Sequence, residues 1–94
     1  MEKFTVTEVI DGDTFSVTFW RWQGQEGQRV RPTGYDAPEI TEPGGQAARD
    51  KLSRLILGKA VELGNAYKVD RGRLVCDVHF QGRNLADYFP EYKT

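Results

Sequence analysis

Ninety-four residues, 38% of them hydrophobic, make one small domain around a single core. Thirteen basic residues against fourteen acidic ones leave a formal charge of −1, which argues against the broad basic surface of a typical duplex-DNA binder and requires that any nucleic acid be held locally. One cysteine, Cys76, and one histidine, His79, exclude an intramolecular disulfide and a thiolate or imidazole zinc cluster, so a bound metal is expected to be oxygen-ligated.

The amino-terminal residues pass directly into a polar and apolar alternation, without the apolar run of a signal peptide or membrane span, and no membrane insertion is expected. If the chain is complete, the expected compartment is the cytoplasm; if a leader has been removed, it is the envelope or the exterior. Lys3 to Ile10 is rich in β-branched residues and stops at Asp11-Gly12, which reads as a strand entering a turn. Thr14 to Trp22 is a second strand. Gln23 to Gly27 is a polar connector, and Gln28 to Tyr35 resumes the extended pattern. Pro32 has no backbone N–H and is expected at an edge or bulge of that third strand. Thr41 to Gly45 is a loop leading into a helix over Gln46 to Leu57, where Ala48, Leu52, Leu55 and Ile56 recur at helical spacing and Gly58 supplies the stop. Ala60 to Leu63 and Arg73 to Phe80 read as strands on either side of a polar loop, and Asn84 to Phe89 as a short helix closed by Pro90. This order predicts an α+β fold over residues 1–94. It is a five-stranded OB-type barrel with one main helix between strands three and four and a short carboxy-terminal helix.

Four carboxylates and an arginine fall around two turn signals in Asp11-Gly12-Asp13-Thr14, Arg31 and Asp36-Ala37-Pro38-Glu39. Cutting a phosphodiester requires positive charge on its oxygens and a group that activates water, and this stretch can supply both. Asp13 and Asp36 each sit beside a turn that fixes a short carboxylate, which suits a hard cation, calcium first and magnesium as the alternative. Taken alone, Asp11-Gly12-Asp13 is also a common turn sequence. Glu39, three residues beyond Asp36, is placed to orient and deprotonate a water, or merely to favour the following helix dipole. Arg31 and Arg73 can each fork onto phosphate oxygens; a solvated surface arginine is the plainer alternative for either. Trp20 and Trp22 share a strand face, for base stacking or for packing. Tyr67, near the basic turn, is a candidate base contact.

The joint pattern is more specific than its parts. Val9-Ile10-Asp11-Gly12-Asp13-Thr14, then Val30 to Glu39, then Gly45-Gln46-Ala47-Ala48 through Leu57-Gly58-Lys59, then Gly72-Arg73, resembles the staphylococcal nuclease (thermonuclease) family from about Phe4 to Tyr88. The resemblance implies an OB barrel and a calcium-dependent nuclease of DNA and RNA that cuts the P–O5′ bond to leave 3′-phosphates. Carried over, it implies Asp13, Asp36 and the Ala37 carbonyl as calcium ligands, with Asp11 supporting them from behind. Glu39 would be the base, and Arg31 and Arg73 the groups that grip the phosphate. This chain departs from the family in a shortened Asp70-Arg71-Gly72-Arg73 turn, in Pro32 where leucine is usual, in Tyr35 where an aliphatic residue is usual, and in ending at Thr94 before the family's further helix. Pro32 is expected to remove an apolar side chain from the barrel, and the short turn to change the approach of Arg73.

The expected function is therefore a nuclease acting as a monomer on single-stranded or frayed DNA or RNA. The alternatives are an OB module that binds nucleic acid or a protein partner without cutting, and a calcium-binding domain with no affinity for nucleotides.

Overall fold

Strong bulges let five short strands curl into a closed barrel in the computed structural model, which describes residues 2–94. The strands are β1 (Lys3–Asp11), β2 (Thr14–Trp22), β3 (Gln25–Pro32), β4 (Ala60–Asp70) and β5 (Arg73–Phe80), with helix α1 (Gly45–Ile56) between β3 and β4. β3, β2, β1, β4 and β5 are hydrogen-bonded in that order, and a parallel β3–β5 pairing closes the ring. Register slips around Thr7 and Ile10 in β1, between Ser16 and Trp20 in β2, and at Tyr67 in β4 supply the bends that closure needs. The protein thus has the OB-like α+β architecture expected from its element order.

Three hairpins share one device. Gln23-Gly24, Arg71-Gly72 and Gln81-Gly82 all have positive φ at both residues, the pairing of a two-residue turn whose twist matches that of its strands. Two sequence expectations are corrected here. β3 starts at Gln25, inside the expected connector, and β4 runs without a break to Asp70 through the expected polar loop. In β4 the inward residues, Val61, Leu63, Ala66 and Val69, are separated by polar ones that face out, so the strand reads as loop by composition.

Val6, Phe15, Val17, Val30, Leu74 and Val78 fill the barrel, and α1 closes its lower end with Ala48, Leu52 and Ile56. The helix begins and ends one residue earlier than its periodicity indicates: Leu57 is already extended, and the chain then ties to β1 through Gly58 N to Val6 O at 3.0 Å. Pro32 is fully buried and pairs with Cys76 at the carboxy end of β3. It therefore keeps an apolar side chain in the barrel, and the strand is interior rather than an edge; the missing N–H falls beyond the last β2 partner, Val30. Trp20 is a core residue whose indole N–H donates to the Arg29 carbonyl at 2.8 Å.

After β5 the chain forms a two-residue strand, β6 (Arg83–Asn84), and two 3₁₀ turns: Leu85–Tyr88, which lies within the expected short helix, and Pro90–Tyr92, which follows it. Asn84 caps the first by accepting from Ala86 N at 2.9 Å, and Pro90 opens the second instead of closing the first. Phe89 then stacks on Tyr35 with ring centroids 4.6 Å apart. No helix among the described residues is long and apolar enough to cross a membrane.

Candidate active site

The short turn Asp11 to Thr14 and the segment Tyr35 to Ala37 come together at one end of the barrel because three successive residues are tied down. Tyr35 Oη donates to the Gly12 carbonyl at 2.8 Å, Asp36 N donates to the Tyr92 carbonyl at 2.9 Å, and Ala37 N donates to Asp13 Oδ2 at 3.1 Å. Thr94 N adds a bond to the Gly34 carbonyl at 3.0 Å, so the carboxy-terminal residues brace Asp36 from behind. Gly12 is needed for space: a Cβ there would lie 2.6 Å from Ala48 Cβ and 2.8 Å from Ala37 Cβ.

Asp11, Asp13, Arg31, Asp36, Ala37, Glu39, Glu42 and Arg73 line a polar cleft of about 240 Å³ at this end. Seven of the eight residues expected in the site from sequence therefore converge. Tyr67 does not: it is the bulged residue of β4, and its hydroxyl donates to Asp77 Oδ2 at 2.9 Å, away from the cleft. Arg31 Nη2 lies 2.8 Å from Asp36 Oδ1 and 3.5 Å from Asp13 Oδ2, so one cationic nitrogen reaches both carboxylates. Arg73 is held by Asp70 across the tight turn, with Nη2 3.2 Å from Oδ2, and its Nη1 donates to Thr14 Oγ1 at 3.3 Å. The shortened turn thus leaves Arg73 in the cleft, anchored on both sides.

Asp13 is 6% exposed, and burial pushes its carboxyl up to about 7. The hydrogen bond and negative charge of Asp11 push the same way, while Arg31 and the Ala37 N–H oppose them. Asp11 Oδ1 also accepts from Asp13 N at 3.1 Å, closing the turn from behind. Burial and the Asp13 charge raise the Tyr35 hydroxyl as well, which keeps it a donor to Gly12.

Glu42 was not anticipated from sequence. Its Oε1 accepts from Glu39 N at 2.8 Å, Glu42 N donates to the Glu39 carbonyl at 2.9 Å, and Gly45 N donates to the Glu42 carbonyl at 2.9 Å. A Cβ on Gly45 would fall 1.8 Å from the Glu39 carbonyl oxygen, so the loop is folded hard onto the start of α1. The available signal was the Glu39-x-x-Glu42 spacing ahead of a helix, the geometry by which an acid reaches back to a free N–H. Glu39's own carboxylate makes no hydrogen bond or ion pair with another described residue and is free to meet a ligand.

Among the described residues no three His, Cys, Asp or Glu side chains cluster to hold a metal. Of the five acids that line the cleft, Asp13 and Asp36, bridged by Arg31, together with the backbone at Ala37 are the oxygens that could hold a cation. That all-oxygen set suits a hard cation that keeps much of its shell for water and substrate. The buried Asp13 and the exposed Asp36, bridged by one guanidinium nitrogen, are consistent with a place for positive charge.

Fold and cleft together define a small OB-like barrel with a polar, mixed-charge cleft at one end. No family model matches the chain. A protein from Capnoides sempervirens, described as an uncharacterized 38.1 kDa protein, is 38% identical over 60 residues, a match covering 63% of this chain and 18% of that protein. The matched part is a small fraction of that relative's length.

Proposed function

We propose that the domain is a calcium-dependent nuclease that hydrolyses phosphodiester bonds of single-stranded or frayed DNA or RNA, cutting P–O5′ to leave 3′-phosphates. The observation that carries this reading is the convergence of Asp13, of Arg31, Asp36 and Glu39, and of Arg73, from three separate stretches of the sequence, on one cleft. Asp13, Asp36 and the Ala37 carbonyl are the oxygens that would hold calcium, or magnesium as the alternative. Bound there, the ion would supply positive charge to the phosphate oxygens and counter the charge of the acids around it.

The chain's own groups do the rest. Glu39, fixed through its backbone by Glu42 and free at its carboxylate, orients a water and takes its proton as the new P–O bond forms. Arg31 and Arg73 hold non-bridging oxygens and stabilise the charge of the five-coordinate transition state, a use of arginine worth on the order of 10³ in rate. The 5′ oxygen leaves with the bonding pair and takes a proton from solvent.

One observation favours a second reading, an OB module that binds without cutting. Arg31 already bridges Asp13 and Asp36, and can serve as a permanent substitute for the cation. The test is cleavage of a labelled single-stranded DNA in calcium, in magnesium and in chelator. Cutting in calcium with 3′-phosphate ends, abolished by chelator, supports the nuclease. Binding of the same DNA with no cutting under any of the three conditions supports the module.

A further inference from the structure

The outer face of β3, β4 and β5 gathers positive charge well beyond the cleft. Val30 and Leu74 are opposite one another and buried, so by strand alternation Arg29, Arg31 and Arg73 point outward on one surface. Arg29 is directly opposite Arg73 in the parallel pair, and Lys68 and Asp70 continue the same face across β4. Arg71 sits in the adjoining turn. On a chain of net charge −1 the part of this face beside the cleft carries five cations against two acids, Asp36 at its cleft end and Asp70, which is committed to Arg73; Asp77 and Glu62 lie farther along β5 and β4, and Asp77 is taken up by Thr33 and Tyr67.

Arg29 differs from its two neighbours. Arg31 is engaged by Asp13 and Asp36, and Arg73 by Asp70, whereas the exposed Arg29 side chain makes no ion pair or hydrogen bond with another described residue. Its backbone is nonetheless fixed, because its carbonyl accepts from the buried Trp20 indole and the residue is paired on both sides, to Ser16 and to Arg73. It is a free guanidinium on a rigid mount. Two residues along a strand span about 6.6 Å, the order of the step between successive phosphates of an extended nucleic-acid strand.

We propose that Arg29 binds the phosphate next to the one held in the cleft, so that the domain recognises single-stranded nucleic acid as a run of at least two adjacent phosphates laid along β3. The inference rests on the reading of the cleft as a phosphodiester site. It makes Arg29 a substrate-binding residue with no part in bond cleavage, and makes chain length a determinant of affinity.

The test is equilibrium binding, measured by fluorescence anisotropy, of a labelled 12-nucleotide oligothymidylate, and by competition of thymidine 5′-monophosphate, which has a single phosphate, in calcium with Glu39→Gln and in chelator with the parent. Arg29→Gln is expected to weaken the oligonucleotide roughly three- to tenfold and to lower the slope of log affinity against log salt by about 0.7, the share of one phosphate contact on a single strand. The monophosphate should bind unchanged, and Arg29→Lys should keep the salt slope. Equal weakening of both ligands, or a parent slope retained in Arg29→Gln, overturns the proposal. A parent that binds neither ligand overturns it together with the cleft reading. Length-dependent binding with the expected slope change but no cleavage by the parent supports Arg29 while removing the nuclease.

Discussion

Gly12 is the point at which fold and site depend on the same few ångströms, and Gly12→Ala is the substitution that exposes it. The added methyl would lie 2.6 Å from Ala48 Cβ, 2.8 Å from Ala37 Cβ and 3.3 Å from the Ala48 carbonyl carbon, against about 3.5 to 4.0 Å for relaxed carbon contacts. Ala48 belongs to the buried face of α1 and Ala37 follows Asp36, so neither is a flexible tip that can swing away. Either the helix or the Asp36 segment must retreat by about 1 Å, an overpacking strain that costs roughly 1 to 3 kcal/mol. Reduced freedom of the unfolded chain offsets about 0.4 to 1 kcal/mol of that. The net loss of about 1 to 2 kcal/mol should appear as a lower urea midpoint at unchanged m, followed through Trp20 fluorescence. Ala48→Gly, costly on its own, should cost less in the Gly12→Ala background, because it removes the nearest clash. A Gly12→Ala protein of parental stability, or strict additivity of the two changes, would refute the packing argument.

Three further outcomes follow from the cleft. Asp13 keeps its proton up to about 7 in the folded, metal-free protein while the unfolded chain releases it near 4. The group therefore costs nothing below pH 4, and stability is lost progressively as pH rises to about 7, by about 2 to 4 kcal/mol. In chelator, Asp13→Asn should flatten that decline and be the more stable protein at pH 8; a steeper decline in the mutant would contradict the burial argument. Tyr35→Phe removes the donor to the Gly12 carbonyl and should cost about 1 to 2 kcal/mol in chemical denaturation, with a parental midpoint as the contrary result. Glu42→Ala frees Glu39 N, and is expected to lower kcat about tenfold at unchanged KM. Glu42→Gln, whose amide oxygen can still accept, should recover most of that rate, and no difference between the two variants would remove Glu42 from its positioning role.

The barrel and its single helix were legible because their signals are local. β-branched runs stop at turn residues, and Ala48, Leu52 and Ile56 recur at helical spacing on the one buried helix face. What escaped was non-local or disguised. The hairpins at Gln23-Gly24 and Arg71-Gly72 lack the Asn or Asp that usually marks a left-handed first position, so the sequence places β3 too late and stops β4 too early. Gly12 was read as turn chemistry, yet its φ is ordinary and its role is to let α1 and Ala37 approach. Seven residues of the cleft are readable from turn placement and their joint pattern, whereas the sequence places Tyr67 by its proximity to basic residues, which a bulge in β4 undoes. The bracing of Asp36 by Tyr92 links residues 56 positions apart and leaves no periodic trace.

The assignment of chemistry to the cleft stands on Glu39, and the most direct measurement is the single-turnover cleavage rate of Glu39→Gln beside the parent in calcium, on labelled single-stranded DNA, with affinity for a nucleoside bisphosphate measured on both. The expected result is a rate reduced by roughly 10² to 10⁴, the scale of a lost general base, with affinity nearly unchanged. A Glu39→Gln protein that cleaves as fast as the parent would contradict the account.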